Sequence, residues 1–214
     1  MLHSWLMEGV IHLEGLPGSG KTFASERLCA LFREQGVQAE WVLEERADHP
    51  VMSTALRRGS VHEGFADTCL EAWSAFLAAD PGLTIFDGYA LQSTVRFLFA
   101  SGADENSIGR YFQSWQDISP EHSVIVFLAV LNPCEHLLAT SEARGETWTG
   151  KLISYVERTE IGQQSGWRGQ AGYVEFWCRY HELCRRLLHR SRLPVRFLEA
   201  RAWSEAELLA AVSW

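Results

Sequence analysis

One octapeptide restricts the fold of this chain more than any other feature. Gly15-Leu16-Pro17-Gly18-Ser19-Gly20-Lys21-Thr22 is an unbroken Gly-x-x-x-x-Gly-Lys-Ser/Thr pattern. The apolar run Val10-Ile11-His12-Leu13 precedes it, and a helical pattern from about Lys21 to Gln35 follows. A strand, a glycine-rich turn and a helix in that order predict a parallel sheet, whose neighbouring strands need long crossovers. The glycines let the main chain close around an anion, with successive N–H groups and the helix N-terminus aimed at it. Gly15, Leu16, Pro17, Gly18, Ser19 and Gly20 are therefore candidate phosphate-binding residues. Lys21 can reach the β- and γ-phosphates of ATP, and the Thr22 hydroxyl can join the shell of a Mg²⁺ ion.

The rest of the chain repeats the alternation. Apolar runs at Ala39–Leu43, Leu83–Phe86, Ser123–Val130 and Pro194–Leu198 read as strands. Between them lie helical patterns from about Glu63 to Ala79, Leu91 to Ala100, Glu105 to Asp117 and Tyr173 to His189. Gly36 is placed to close the first helix, and Ser204 to cap the last one, which reaches Val212. The run at Ser123 is apolar almost throughout, as a strand buried on both faces should be. These elements predict an α/β fold, a three-layer α/β/α arrangement with a five-stranded parallel sheet, in a single domain over residues 1–214. Residues 140–172 interrupt the pattern with glycines, two tryptophans and several arginines. We read them as a mobile, lid-like insert with a helix near Lys151 to Arg158.

Three further groups could carry chemistry. Asp87 ends an apolar strand, where a carboxylate can serve Mg²⁺ beside the phosphate loop. Gly88 follows it; a hydrolysis motor would be expected to carry glutamate there, although Asp-Gly is also a common turn pair. Glu44 and Glu45 sit just past the second strand, at the sheet edge where ligands collect, and either could orient or deprotonate an acceptor. A glutamate pair beside a loop is also a common solvated surface. Arg96, Arg144, Lys151, Arg158 and Arg168 are candidates for stabilising charge on a moving phosphoryl group, ranked Arg144, Arg96, then Arg158.

Composition narrows the partners. Nineteen basic and 27 acidic residues leave a net charge of −8, which disfavours nucleic-acid polymers and anionic membranes as partners. The longest apolar run, Val124 to Leu131, is eight residues, far below the roughly 20 of a membrane span. Met1 to Gly9 shows no secretory pattern. Five cysteines without Cys-x-x-Cys spacing predict neither a disulfide framework nor a cysteine zinc site, and suit a cytoplasmic location.

With these residues in view, the chain resembles the thymidylate kinase and deoxynucleoside kinase group of P-loop kinases, within the P-loop NTPase fold. Leu13-Glu14-Gly15 before the loop is similar to the Glu-Gly start of that group. Asp87-Gly88-Tyr89 followed by Ser93 resembles its Asp-Arg-Tyr-x-x-Ser stretch. The strand at Val124–Val130, then Asn132-Pro133 and a helix into Arg144-Gly145, resembles its core strand and arginine-bearing lid. Gly88 stands where thymidylate kinases carry arginine, and Glu44-Glu45-Arg46-Ala47 replaces their Arg-Glu-Pro-Gly stretch. The resemblance implies ATP and Mg²⁺, with a small-molecule acceptor between the second and third strand ends. Oligomeric state is not given by the sequence, and a homodimer is one open arrangement. It implies transfer of the ATP γ-phosphoryl group to a nucleoside, a nucleotide or another hydroxylated metabolite. The alternative is a nucleotide-binding switch or regulatory ATPase acting on a protein partner. A third reading is a P-loop protein that binds nucleotide only for stability.

Overall fold

The computed structural model describes residues 9–52 and 64–213. Met1 to Glu8 and the expected helix start at Glu63 lie outside them. Five strands form one parallel sheet: β1 (Val10–Gly15), β2 (Ala39–Leu43), β3 (Leu83–Asp87), β4 (Ser123–Ala129) and β5 (Val195–Glu199). Their spatial order is β2-β3-β1-β4-β5. The strand that leads into the Gly15–Thr22 loop is thus central. Leu13 lies opposite Asp87 on one side and Val126 on the other.

Side chains alternate across a strand, so β1 serves two cores. Ile11 and Leu13 join a cluster with Leu28, Phe32, Val124, Val126 and Leu208, covered by α1 (Lys21–Glu34) and α9 (Glu205–Ala211). On the opposite face His12 meets the rings of Phe86, Trp73, Tyr89 and Trp115. Trp73 and Trp115 are fully buried there, 5.8 Å apart; truncating either would cost about 3–5 kcal/mol. They come from α2 (Phe65–Ala78) and α4 (Glu105–Ile118). His12 is fully buried with neither ring nitrogen paired, and burial lowers its pKa to about 3.

Local signals account for several element ends. The Gly36 N–H bonds to the Arg33 carbonyl, and the Val37 N–H to that of Phe32, closing α1 with Gly36 at φ 78°. Ser204 and Glu207 cap α9 reciprocally. The pattern expected as one helix from Leu91 to Ala100 is a π-helical segment, Ala90–Val95, running into a short α3 (Arg96–Ala100). Single-sequence periodicity does not separate the two windings.

The largest difference from expectation lies after β4. Residues 140–172 are mostly helical. α5 (Pro133–Arg144), with Asn132 capping its start, is followed by α6 (Glu146–Arg158), α7 (Glu160–Gln164) and α8 (Gly169–His189). The anticipated helix at Lys151–Arg158 is the second half of α6, and the helix expected from Tyr173 begins at Gly169. No helix among the described residues is long and apolar enough to cross a membrane.

Candidate active site

The site grows from the carboxyl ends of β1, β2 and β3. At Gly18, φ is 76°, and an added Cβ would lie 2.4 Å from the Thr140 methyl group. Both facts demand glycine, because the loop passes directly beneath α5. Another contact from α5 is a 3.0 Å hydrogen bond between His136 Nε2 and the Pro17 carbonyl. The loop residues from Gly15 to Thr22 are thus folded between β1 and α1 with a helix laid over them.

Lys21 is only 8% exposed, and its ammonium donates to the Leu16 carbonyl at 3.3 Å. The Thr22 hydroxyl donates to Asp87 Oδ2 at 2.6 Å. Pairing of β1 with β3 sets this contact, reinforced by the Gly88 N–H bond to the Leu13 carbonyl at 2.9 Å. The other Asp87 oxygen is buried without a partner. Burial raises the Asp87 pKa, while Lys21 and the Thr22 hydroxyl pull it down. One hydroxyl and one carboxylate are hard oxygen donors that suit Mg²⁺, an ion that keeps waters and takes phosphate oxygens. Among the described residues no cluster of three His, Cys, Asp or Glu side chains offers an all-protein metal cage.

The two candidate glutamates separate in space. Glu45 points to solvent. Glu44 turns inward: a Cβ on Gly88 would lie 3.1 Å from its Oε2 and 3.3 Å from Lys21 Cε. The bare Gly88 backbone, at φ 74°, is therefore what keeps space open between Glu44 and Lys21. Burial raises the Glu44 pKa to about 7, against the pull of Arg96 and Lys21 and with the help of the Asp87 charge. Arg96 Nη2 lies 3.4 Å from Glu44 Oε1, and Nε donates to the Gln92 carbonyl at 2.6 Å. Its guanidinium also lies over Phe97 and Tyr155, 4.7 and 5.2 Å from the ring centroids. Arg96 is thus bound into the wall, positioning Glu44.

The cations of the helical arm stand apart. Arg144, Lys151, Arg158 and Arg168 are all exposed. Arg144 lies over Trp148 at 5.9 Å, and Arg168 bonds the Trp167 carbonyl. Among them Arg144 has the best placement, one turn beyond Thr140 on the stripe that also carries His136.

Two residues complete the surroundings without having been anticipated as site residues. Glu14 is fully buried, and its carboxylate accepts the Leu91 and Gln92 N–H groups at 3.0 and 3.2 Å. It ties the strand that starts the loop to the segment that carries Arg96. Burial pushes its pKa up to about 8, against those two hydrogen bonds. A charged residue inside an apolar strand was the available signal. Arg201, in the turn after β5, forks onto the Gly18 carbonyl at 3.1 and 2.7 Å; only its place at a strand's carboxyl end could have marked it.

No family model matches the chain, and no curated protein is significantly similar to it in sequence. Solved structures do match. One is the YorR protein of Bacillus subtilis in complex with phosphorylated GDP: 13% identity, TM-score 0.52, with 95% of this chain and 92% of that chain covered. Another is thymidylate kinase from Ehrlichia chaffeensis, at 13% identity and TM-score 0.52, with 96% of this chain and 95% of that chain covered. The fold, a five-stranded parallel α/β sheet with strand order β2-β3-β1-β4-β5, is accordingly shared with both solved structures over nearly the whole of each chain.

Proposed function

We propose that the protein is a P-loop small-molecule kinase, moving the γ-phosphoryl group of ATP to a hydroxyl of a nucleoside, a nucleotide or another hydroxylated metabolite. The observation that carries this reading is the convergence of Lys21, Thr22, Asp87 and Glu44 around the bare backbone of Gly88. The thymidylate kinase neighbour supports the same class of chemistry.

Each residue has a role that its surroundings suit. The main-chain N–H groups of the loop bind the phosphates. Lys21 exchanges its Leu16 carbonyl partner for phosphate oxygens. Thr22 and Asp87 would hold Mg²⁺, which when bound offsets charge between the β- and γ-phosphates. Glu44 takes the acceptor proton, and its pKa near neutrality suits a general base. A carboxylate at that point repels a phosphate dianion and welcomes a hydroxyl, which favours a hydroxyl acceptor. Arg96 orients Glu44, and Arg144 supplies positive charge as α5 and the helices after it, the lid-like insert at about 140–172, close over the loop.

A mass-spectrometric screen of pooled nucleosides, nucleotides and hydroxylated metabolites with ATP–Mg²⁺ tests the proposal. The expected result is one compound gaining a phosphate, with ATP loss dependent on it. ATP loss that needs no acceptor and responds to a protein partner would replace the kinase with a switch.

A further inference from the structure

All five cysteines are free thiols, yet they fall into two groups. Cys29, Cys69 and Cys184 are buried; Cys134 is exposed and Cys178 half-buried. The last two meet: their sulfurs are 2.7 Å apart across a separation of 44 residues. Cys134 follows Pro133 in the first turn of α5, and Cys178 lies midway along α8. The two helices run antiparallel here, since Ser141, near the far end of α5, lies against Tyr173, earlier in α8. Cys178 also lines a cleft of about 530 Å³ with Phe99, Ile161, Arg179 and Arg186, which gives a small reagent a second approach.

We propose that Cys134 and Cys178 are a reversible thiol–disulfide site that staples α5 to α8 when the protein meets a small disulfide oxidant such as glutathione disulfide. Cys134 reacts first, because it is the exposed member of the pair. Its thiolate attacks one sulfur of glutathione disulfide; that S–S bond breaks and one glutathione thiolate leaves. Cys178 then attacks the Cys134 sulfur of the mixed disulfide and expels the second glutathione. The two protein protons end on the two glutathione thiols, and the two electrons lost by the protein reduce the oxidant. Burial and the neighbouring Cys134 push the Cys178 pKa up to about 12, which makes it the slower, resolving partner.

The staple would act on the helix that covers the phosphate loop. α5 reaches the loop through His136 and Thr140, so tying its start to α8 holds that cover in place and closes a ring around α6 and α7. This inference does not depend on the kinase reading. A disulfide needs the sulfurs at about 2.05 Å, a small adjustment from the contact observed.

The test uses the full chain. It is incubated with glutathione disulfide, its remaining thiols are blocked, and it is digested without reduction for peptide mapping. The expected product is a peptide joining Cys134 to Cys178, with the intact mass lower by two hydrogens. Its unfolding midpoint should rise by several degrees, and dithiothreitol should reverse both changes. Cys134→Ser should abolish the joined peptide while the variant remains folded. Glutathione left on Cys134 without a joined peptide, a link through another cysteine, or an unchanged midpoint would each overturn the proposal.

Discussion

The two sides of the Gly15–Thr22 loop are built on opposite plans. Beneath it, at the ends of β1, β2 and β3, polar groups already touch: exposed Thr22 on buried Asp87, buried Glu14 on the Leu91 and Gln92 amides, half-buried Arg96 on half-buried Glu44. Above it, along α5 to α8, the loop is touched by His136 and Thr140, while the candidate cations Arg144, Lys151, Arg158 and Arg168 stand in solvent. The lower half has met its desolvation cost during folding, so its groups need little reorganisation at the moment of use. The upper half keeps its charges hydrated, so a bound triphosphate would have to draw them in. Damage below should therefore abolish chemistry, and damage above should weaken it.

The largest expected effect is that of Lys21→Ala. Product formation should fall by about 10²–10³-fold or more, with the circular-dichroism spectrum unchanged. Retained turnover would break the assignment of the lower half. Next comes Glu44→Gln, expected to lower turnover by about 10²-fold or more. The wild-type rate should also climb with pH through about 7, as the ionised form of the proposed base Glu44 accumulates. The Gln variant should lose that climb; a pH profile shared by both proteins would remove Glu44 from proton transfer. Arg144→Ala tests the upper half and should cost about tenfold in turnover with nucleotide affinity little changed. An equal loss in Lys151→Ala would show that position on the stripe does not matter.

The last prediction concerns stability and not turnover. His12 is held neutral, its pKa lowered from 6.5 to about 3, so the unfolded chain binds the extra proton between those values. Its contribution to stability is present above pH 6.5 and is lost as pH falls towards 3, by up to about 1.4 kcal/mol per unit. Glu14 works in the opposite sense: its raised pKa makes stability fall as pH rises from 4.5 towards 8. In thermal melts the stability of His12→Leu relative to wild type should improve as pH drops below 6.5. Parallel melting curves across that range would show that His12 does not titrate on unfolding.

What the sequence discloses divides along the same line. The loop is legible because its work is done by main chain, and main chain at positive φ demands glycine at fixed spacing. The Gly36 cap, at φ 78°, is legible for the same reason, and Ser204 because a hydroxyl capping a helix start with Glu three residues on is a local signal. Glu44 and Glu45 are equivalent on paper; the direction of the turn after β2 decides between them, and one residue's difference there reverses burial. In residues 140–172 glycine misleads. Gly145 does sit at φ 80°, as a joint between helices. Gly162 and Gly172 lie inside helices, where a Cβ would strike the Val156 carbonyl at 2.1 Å and Trp167 at 2.6 Å. They permit close approach, which a sequence does not distinguish from looseness. The Cys134–Cys178 contact is equally hidden, being made by two helix faces far apart in the chain.

The central position of β1 has a consequence for biosynthesis. The Gly15–Thr22 loop leaves the ribosome before β3 and β4, yet β1 needs both beside it, and those begin only at Leu83 and Ser123. Until they emerge, the nascent β1 has two unpaired edges of main-chain N–H and C=O groups, and the glycines after it have no frame to hold their turn. Mid-length nascent chains are therefore the vulnerable ones, and an early pause in translation would leave them open to aggregation or chaperone capture.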